Sequence, residues 1–259
     1  MKNPRRLLLI LVLLASAACN TQLEAERPES RNTPKAAASE PTTGPPETTA
    51  ERAQVVTNEK LGPGLISAAG RGDAEAVRRL LENGAPDEAR DGGRRTPLVA
   101  AAYGNHLKAA RLLVEAGADV NAKDETVQSA YLISTSEVGD DPRLLDFALE
   151  NDADVRSLDS YNGTGLIRAA ERGYPEIISR LLRTNIAVDH VNNLGWTALL
   201  EAIVLGDGGP SHTETVRLLV REGDADPNIP DGDGVTPLQH ARRNGYTEIE
   251  EILLDAGAR

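Results

Sequence analysis

The chain has 259 residues, one cysteine, 3% aromatic residues and a formal net charge of -12. Such an acidic excess argues against a nucleic-acid ligand, which asks for a basic face. A lone thiol excludes an internal disulfide. A core of Leu, Ala, Ile and Val needs few aromatics, so their scarcity is no sign of disorder.

Met1-Lys2-Asn3-Pro4-Arg5-Arg6 leads into the apolar run Leu7–Ala18, and Cys19 follows. A basic start before about a dozen apolar residues is the pattern of a secretory signal. A membrane span needs about 20. The setting of Cys19 resembles the lipobox of bacterial lipoproteins, with Ser16 where that motif usually has Leu. The resemblance implies a signal peptide over residues 1–18, a diacylglycerol on Cys19, and an exported protein anchored in the cell envelope facing the periplasm. Ordinary cleavage after Ala17 or Ala18, giving a soluble exported protein, is the other reading. Removing Lys2, Arg5 and Arg6 with the signal would leave residues 19–259 at -15.

From Asn20 to about Thr57, Pro28, Pro34, Pro41, Pro45 and Pro46 sit among Thr, Ser, Glu and Ala. Such a segment buries too little apolar surface to offset its ordering entropy, so residues 19–57 read as a disordered tether. Its relaxed span would be about 35 Å.

Residues 58–259 carry an internal repeat. Pro63, Thr96, Ser129, Thr164, Thr197 and Thr236 recur at spacings of 33, 33, 35, 33 and 39. Two places on stands Leu65, Leu98, Tyr131, Leu166, Leu199 or Leu238, and five places on the small residue Ala68, Ala101, Ser134, Ala169, Ala202 or Ala241. Each unit reads as two short helices, stopped by Gly84, Gly117, Asp152, Asn185, Gly223 or Gly257; at Thr96-Pro97 the start is a capping Thr and a tolerated Pro, whereas the first unit has Pro63-Gly64 in that place. Those stops fit a left-handed backbone, which Gly, Asn and Asp tolerate. Such a pair cannot bury its apolar faces alone and must stack on copies of itself.

The run Thr-Pro-Leu-Val-Ala-Ala at Thr96–Ala101, followed by Leu-Leu-Val-Glu-Ala-Gly-Ala-Asp-Val-Asn at Leu112–Asn121, resembles the ankyrin repeat. The pattern is plain again at Thr236–Gly257, recognisable at Thr164–Asp189 and Thr197–Asn228, and weak at Pro63–Glu88 and Ser129–Arg156. The resemblance implies an all-α solenoid of about six helix-turn-helix units with β-turn fingers, over about 58–90, 91–123, 124–158, 159–191, 192–230 and 231–259. The family's usual His after Thr-Pro-Leu is replaced by Val99, Leu132, Ile167, Leu200 and Gln239.

Departures from the pattern are informative. Arg71, Glu75, Arg78 and Arg79 give the first unit a polar outer face, and Arg242, Glu248, Glu250 and Glu251 do the same for the last, as caps must. In the third unit Glu137–Pro142 holds two inserted residues and Pro142 opens the second helix. In the fifth, Gly206–His212 holds most of six. Each insertion reads either as a solvated loop or as a partner contact.

Motifs of chemistry are wanting. His106, His190, His212 and His240 fall in four units without a second ligand at metal spacing. Asp224-Ala-Asp226-Pro-Asn228 begins like a calcium loop, but Ile229 and Val235 stand where Gly and Glu are required. Asp231-Gly232-Asp233-Gly234 reads as a finger turn. No Ser or Cys nucleophile has a nearby base, and the Gly pairs lack the strand–loop–helix frame of a phosphate loop. No cofactor and no metal are expected.

The resemblance supplies contact positions instead: one, three and four residues before the anchor, and seven and eight after it. These select Arg95 and Tyr103; Glu125, Gln128 and Glu137; Tyr161, Glu171 and Arg172; Leu194, Trp196, Val204 and Leu205; and Val235 and Arg243. Trp196, Leu194 and Tyr161 are expected to form one patch, although Trp196 packing between fingers is an equal reading. Tyr174 and Tyr246, at the turn-His position, read as structural. The function implied is a non-enzymatic, monomeric module that binds a protein partner on a concave face. Its acidity suits a basic target, and inhibition of an envelope enzyme or toxin is the alternative. A hydrolase using the fifth unit's carboxylates is a third reading.

Overall fold

A computed structural model describes Asn58 and residues 60–259. The expected signal, Cys19 and the tether lie outside these residues. Among the described residues there are twelve α-helices and no strand. They are α1 Gly62–Gly70, α2 Ala74–Glu82, α3 Pro97–Tyr103, α4 Leu107–Ala116, α5 Ala130–Ser136, α6 Arg143–Glu150, α7 Gly165–Arg172, α8 Pro175–Leu181, α9 Ala198–Val204, α10 Pro210–Arg221, α11 Pro237–Asn244 and α12 Thr247–Asp255.

The anchor column starts the odd-numbered helices. The hydroxyls of Thr96, Ser129, Thr164, Thr197 and Thr236 accept the backbone N–H three residues on, at 3.2–3.3 Å. Each such cap contributes about 1 kcal/mol. The first unit has Pro63 in that column, and α1 begins at Gly62 without a side-chain cap. The acceptor-bonded N–H belongs to Val99, Leu132, Ile167 and Leu200 in four units, and these side chains are buried where the repeat's usual His would be.

Odd helices form an inner row, α1 against α3, α3 against α5, and so on to α11, while each even helix packs on its own odd partner. The small-residue column lies at those inner contacts and is at most 1% exposed from Ala68 to Ala241. A larger side chain there would hold neighbouring backbones apart. The core divides into two clusters that meet in the third unit. Ile133, Leu144 and Phe147 belong to the cluster of units one to three. Tyr131, Leu132, Leu145 and Ala148 belong to that of units three to six.

Side-chain staples join consecutive units. Asn121 Oδ1 accepts from Asp154 N at 2.8 Å while its Nδ2 donates to Asp152 O at 3.1 Å. Asn228 does the same to Arg259 N and Gly257 O. Glu88 and Asp189 accept from Asp119 N and Asp226 N.

Two expected left-handed helix stops are corrected. Gly84, Gly117, Asp152 and Gly257 have positive φ, but Asn185 and Gly223 do not. In the fifth unit an extra residue moves the left-handed position to Asp224, φ 51°. In the fourth, Thr184 ends the helix instead: its hydroxyl donates to Leu181 O at 2.6 Å and accepts from Ile186 N. Pro142 is the cap of α6 rather than its first residue.

Candidate protein-binding face

The fingers between units are built on one column that the sequence reading passed over. Five residues before each of the five Ser or Thr anchors stand Asp91, Asp124, Asp159, Asn192 and Asp231. Each uses one side-chain oxygen to accept the N–H groups two and four residues on. Asp91 takes those of Gly93 and Arg95, and Asp124 those of Thr126 and Gln128. Asp159 takes Tyr161 and Gly163; Asn192 takes Leu194 and Trp196; Asp231 takes Asp233 and Val235. The turn needs a left-handed residue two before the anchor, found at Arg94, Val127, Asn162, Gly195 and Gly234, with φ between 58° and 78°. The expected contact residues Arg95, Gln128, Trp196 and Val235 thus sit on pinned backbone.

The second oxygen or nitrogen of that column reaches out of the turn. Asp159 Oδ2 accepts from Arg168 Nη1 at 3.0 Å, and Asp231 Oδ2 pairs with His240 Nε2 at 2.7 Å. Both partners lie four residues after their anchors, on the inner helix. In the fifth unit the polarity reverses. Asn192 can donate, and Glu201 at that same helix position accepts from its Nδ2 at 2.7 Å. Asp91 Oδ2 takes Arg95 Nε at 2.9 Å, and Asp124 Oδ2 takes the Tyr103 hydroxyl at 3.3 Å.

Arg168 gathers the middle of this face. Its Nη2 donates to Gln128 Oε1, Ser136 Oγ and Glu137 Oε1 at 2.9, 2.6 and 3.2 Å. Arg172 approaches the same Glu137 oxygen at 3.9 Å. The expected residues Gln128, Glu137 and Arg172 are therefore brought together by a side chain that no contact rule selected. Glu201 is buried, and its Oε2 finds no hydrogen-bond partner among the described residues. Burial pushes its carboxyl up to about 8, with the charges of Glu171 and Asp159 adding to the effect against the Asn192 hydrogen bond. The Asp91 carboxyl is held below the ordinary range, first by the Arg95 backbone N–H and then by its guanidinium.

Tyr161, Leu194 and Trp196 lie on adjacent fingers, joined by Asn193 N donating to Tyr161 O at 3.0 Å. Leu194 is 42% exposed and Trp196 half-buried. Val204 and Leu205 are half-buried at the end of α9, and Arg243 is exposed on α11. Tyr103 is 40% exposed. Glu171 serves the scaffold through its carbonyl, which faces His212 Nε2 at 3.2 Å.

The insertion at Gly206–His212 folds back onto its neighbours. His212 is buried, pairs with Asp207 at 2.9 Å and packs on Gly173 of the preceding unit. The Tyr246 hydroxyl donates to Gly206 O at 2.9 Å from the following unit. His106 and Tyr246 pack in the same way on Gly72 and Gly208. His212 is therefore the fifth unit's turn residue, displaced along the sequence by the insertion.

The family profile described as Ankyrin repeats (3 copies) matches residues 53–124 and 132–231, well over half the chain. The chain belongs to the ankyrin-repeat family. Its relatives include the ankyrin repeat protein YahD of Escherichia coli K12, 38% identical over 201 residues, which are 77% of this chain and 98% of that one. The crystal structure of an ankyrin repeat domain from Acinetobacter baumannii AYE is similar at TM-score 0.70 and 45% identity, covering 76% and 98% of the two chains. The crystal structure of the ankyrin repeat protein EF0377 is similar at TM-score 0.67 and 32% identity, covering 73% and 96%. The ankyrin profile skips residues 125–131, where the third unit's finger has Val127 at positive φ and its helix opens Ser-Ala-Tyr. An ankyrin repeat domain is typically a protein–protein interaction module.

Proposed function

We propose that this ankyrin stack is a non-enzymatic binding protein of the bacterial cell envelope, held by a lipid on Cys19 and gripping a protein partner with its fingers and inner helices. The observation that carries the reading is the pinned finger column. Five turns hold their contact side chains on backbone fixed by the same pair of hydrogen bonds, which suits recognition by a preformed surface. Trp196, Leu194 and Tyr161 form the anchor patch, because exposed or half-exposed aromatic and apolar groups on rigid backbone are the usual energetic centres of interfaces.

Crosslinking in intact cells, followed by identification of the captured protein, tests the reading. Trp196→Ala together with Tyr161→Ala is expected to lose the capture, and full capture by that variant removes this patch as the site. Metabolic labelling with a palmitate analogue is expected to mark the chain but not a Cys19→Ser variant; an unlabelled chain ends the anchor.

Charge favours a second, narrower reading as an inhibitor or protection protein covering a basic enzyme or toxin. Residues 112–259 hold 12 Lys and Arg against 27 Asp and Glu, net -15. An acidic surface of this kind steers and holds a basic target. Unchanged sensitivity to such a toxin on deleting the gene would exclude this role.

A further inference from the structure

Glu201 stands at the root of the fifth finger. It is 4% exposed on α9, and only one of its carboxyl oxygens is used. Oε1 accepts from Asn192 Nδ2 at 2.7 Å, while Oε2 is buried with no partner among the described residues. Asn192 is buried too, and its Oδ1 accepts the N–H groups of Leu194 and Trp196 at 2.9 and 3.0 Å. One side chain thus ties the anchor patch to the buried carboxyl. The other fingers lack this arrangement: Asp91, Asp124, Asp159 and Asp231 turn their second oxygen to Arg95, Tyr103, Arg168 and His240.

The surroundings hold no counter-charge for Glu201. On α7, Arg168 gives both Nη atoms to Asp159, Gln128, Ser136 and Glu137, and Arg172 approaches Glu137. Glu171 of α7 and Asp159 of the fourth finger act on Glu201 as like charges. On α11, His240 is taken by Asp231 and Arg242 by Glu250, and Arg243 is exposed. On α10, His212 lies between Asp207 and the Glu171 carbonyl, and Arg217 and Arg221 pair with Glu214, Glu248 and Asp255. A carboxylate ionised in this place lacks the pairing that a buried charge needs.

We infer that Glu201 is a pH-operated latch on the fifth finger. While the carboxyl keeps its proton, the Glu201–Asn192 bond holds Leu194 and Trp196 in place. When the proton passes to solvent, the carboxylate turns out to water, the Asn192 amide loses its acceptor, and the finger loosens. Opening one finger costs far less than unfolding the stack, so the charge is relieved locally. The patch is therefore firm up to neutral pH and yields in mild alkali, and its grip on a partner follows. The latch rests on the patch proposed above, but its test needs no partner.

Trp196 is the chain's only tryptophan, so its emission reports on this finger alone. In the full chain titrated from about pH 6 to about pH 9, the emission is expected to shift to the red with a midpoint near the Glu201 value of about 8. Hydrogen-exchange protection of the Leu194 and Trp196 amides, corrected for base catalysis, should fall at least tenfold, while that of Gly93 and Arg95 in the second finger holds. Glu201→Gln should abolish both changes. His240→Gln, which keeps a donor for Asp231, should leave them. Asn192→Asp should move the midpoint upward, because two carboxyl groups that share a proton release it at higher pH. Constant emission and protection across the range, a step that survives Glu201→Gln or vanishes with His240→Gln, or equal loosening of all five fingers would overturn the latch. So would a midpoint that Asn192→Asp leaves in place, and that variant decides the matter if Glu201→Gln does not fold. Overturning the latch in this way leaves the patch standing, whereas full capture by the Trp196 and Tyr161 variant removes the patch and not the latch.

Discussion

Gly165 occupies a place where four of the other units carry Pro97, Ala130, Ala198 or Pro237 and the first carries Gly64. A Cβ there would lie 2.5 Å from the Tyr131 hydroxyl oxygen and 2.9 Å from Thr135 Cγ2. Tyr131 is itself the exception in a column of leucines and is fully buried, so it cannot swing aside. The glycine is the space that the tyrosine fills. Gly165→Ala should therefore cost about 1–3 kcal/mol by overpacking. In a Tyr131→Leu background the same change should cost far less. Urea melts of the four proteins in a double-mutant cycle measure the coupling; an equal cost in both backgrounds would assign the strain elsewhere. Glu201 makes a prediction with a sign. Its folded value of about 8 lies above the ordinary 4.5, so the fold binds its proton more tightly than the unfolded chain does. The contribution to stability is whole below about 4.5, declines as pH rises, and is lost above about 8, to the extent of roughly 5 kcal/mol. Glu201→Gln keeps an acceptor for Asn192 and should flatten the fall of the urea midpoint between pH 5.5 and 9. A variant as pH-dependent as the parent would clear Glu201 of the effect.

At the scale of the element, the finger explains why certain side chains are presented and why one turn is strained. The left-handed position two before the anchor is filled by Gly195, Gly234 and Asn162, which tolerate it, but also by Val127 at φ 65°. A β-branched residue there crowds its own backbone, at a cost of about 1–2 kcal/mol. Val127 is half-buried, so little packing is forfeited by shortening it. Val127→Gly is expected to raise stability by about 1 kcal/mol, read as a higher urea midpoint at unchanged slope; a lower midpoint would mean that its packing outweighs the strain. The column five before the anchor was open to inspection in the sequence as Asp, Asp, Asp, Asn, Asp, and its turn role follows from Asx chemistry. Its second task was not open in the same way. The pairings of Asp159 with Arg168, Asn192 with Glu201 and Asp231 with His240 appear only once finger and helix lie side by side. The fifth-unit insertion teaches the same lesson. Counting residues shows that it is long, but only the fold shows His212 seated on Gly173.

For the whole molecule, the third unit is where cooperativity should be decided. Leu144 and Leu145 are neighbours on α6, both fully buried, yet they feed different core clusters. Truncating either to Ala should cost about 2–5 kcal/mol. In a stack whose units touch only their neighbours, the loss should propagate unevenly. Hydrogen exchange is expected to show Leu144→Ala lowering protection chiefly in units one and two, and Leu145→Ala chiefly in units four to six. Identical patterns would show that the stack unfolds as one body.

The repeat, its helical pairs, its caps and its polar ends were all decided by sequence alone, because they depend on contacts within about 33 residues or on the same contact repeated. A pattern of that kind is written out six times and survives the loss of any one copy. What the tertiary structure alone decided is where charges and grooves come to rest: Glu201 in the interior, Arg168 among three elements, and Tyr103 between two grooves. Those properties arise between units that differ from one another. No periodicity records them, since desolvation and charge pairing depend on which side chains happen to face each other once the copies are stacked.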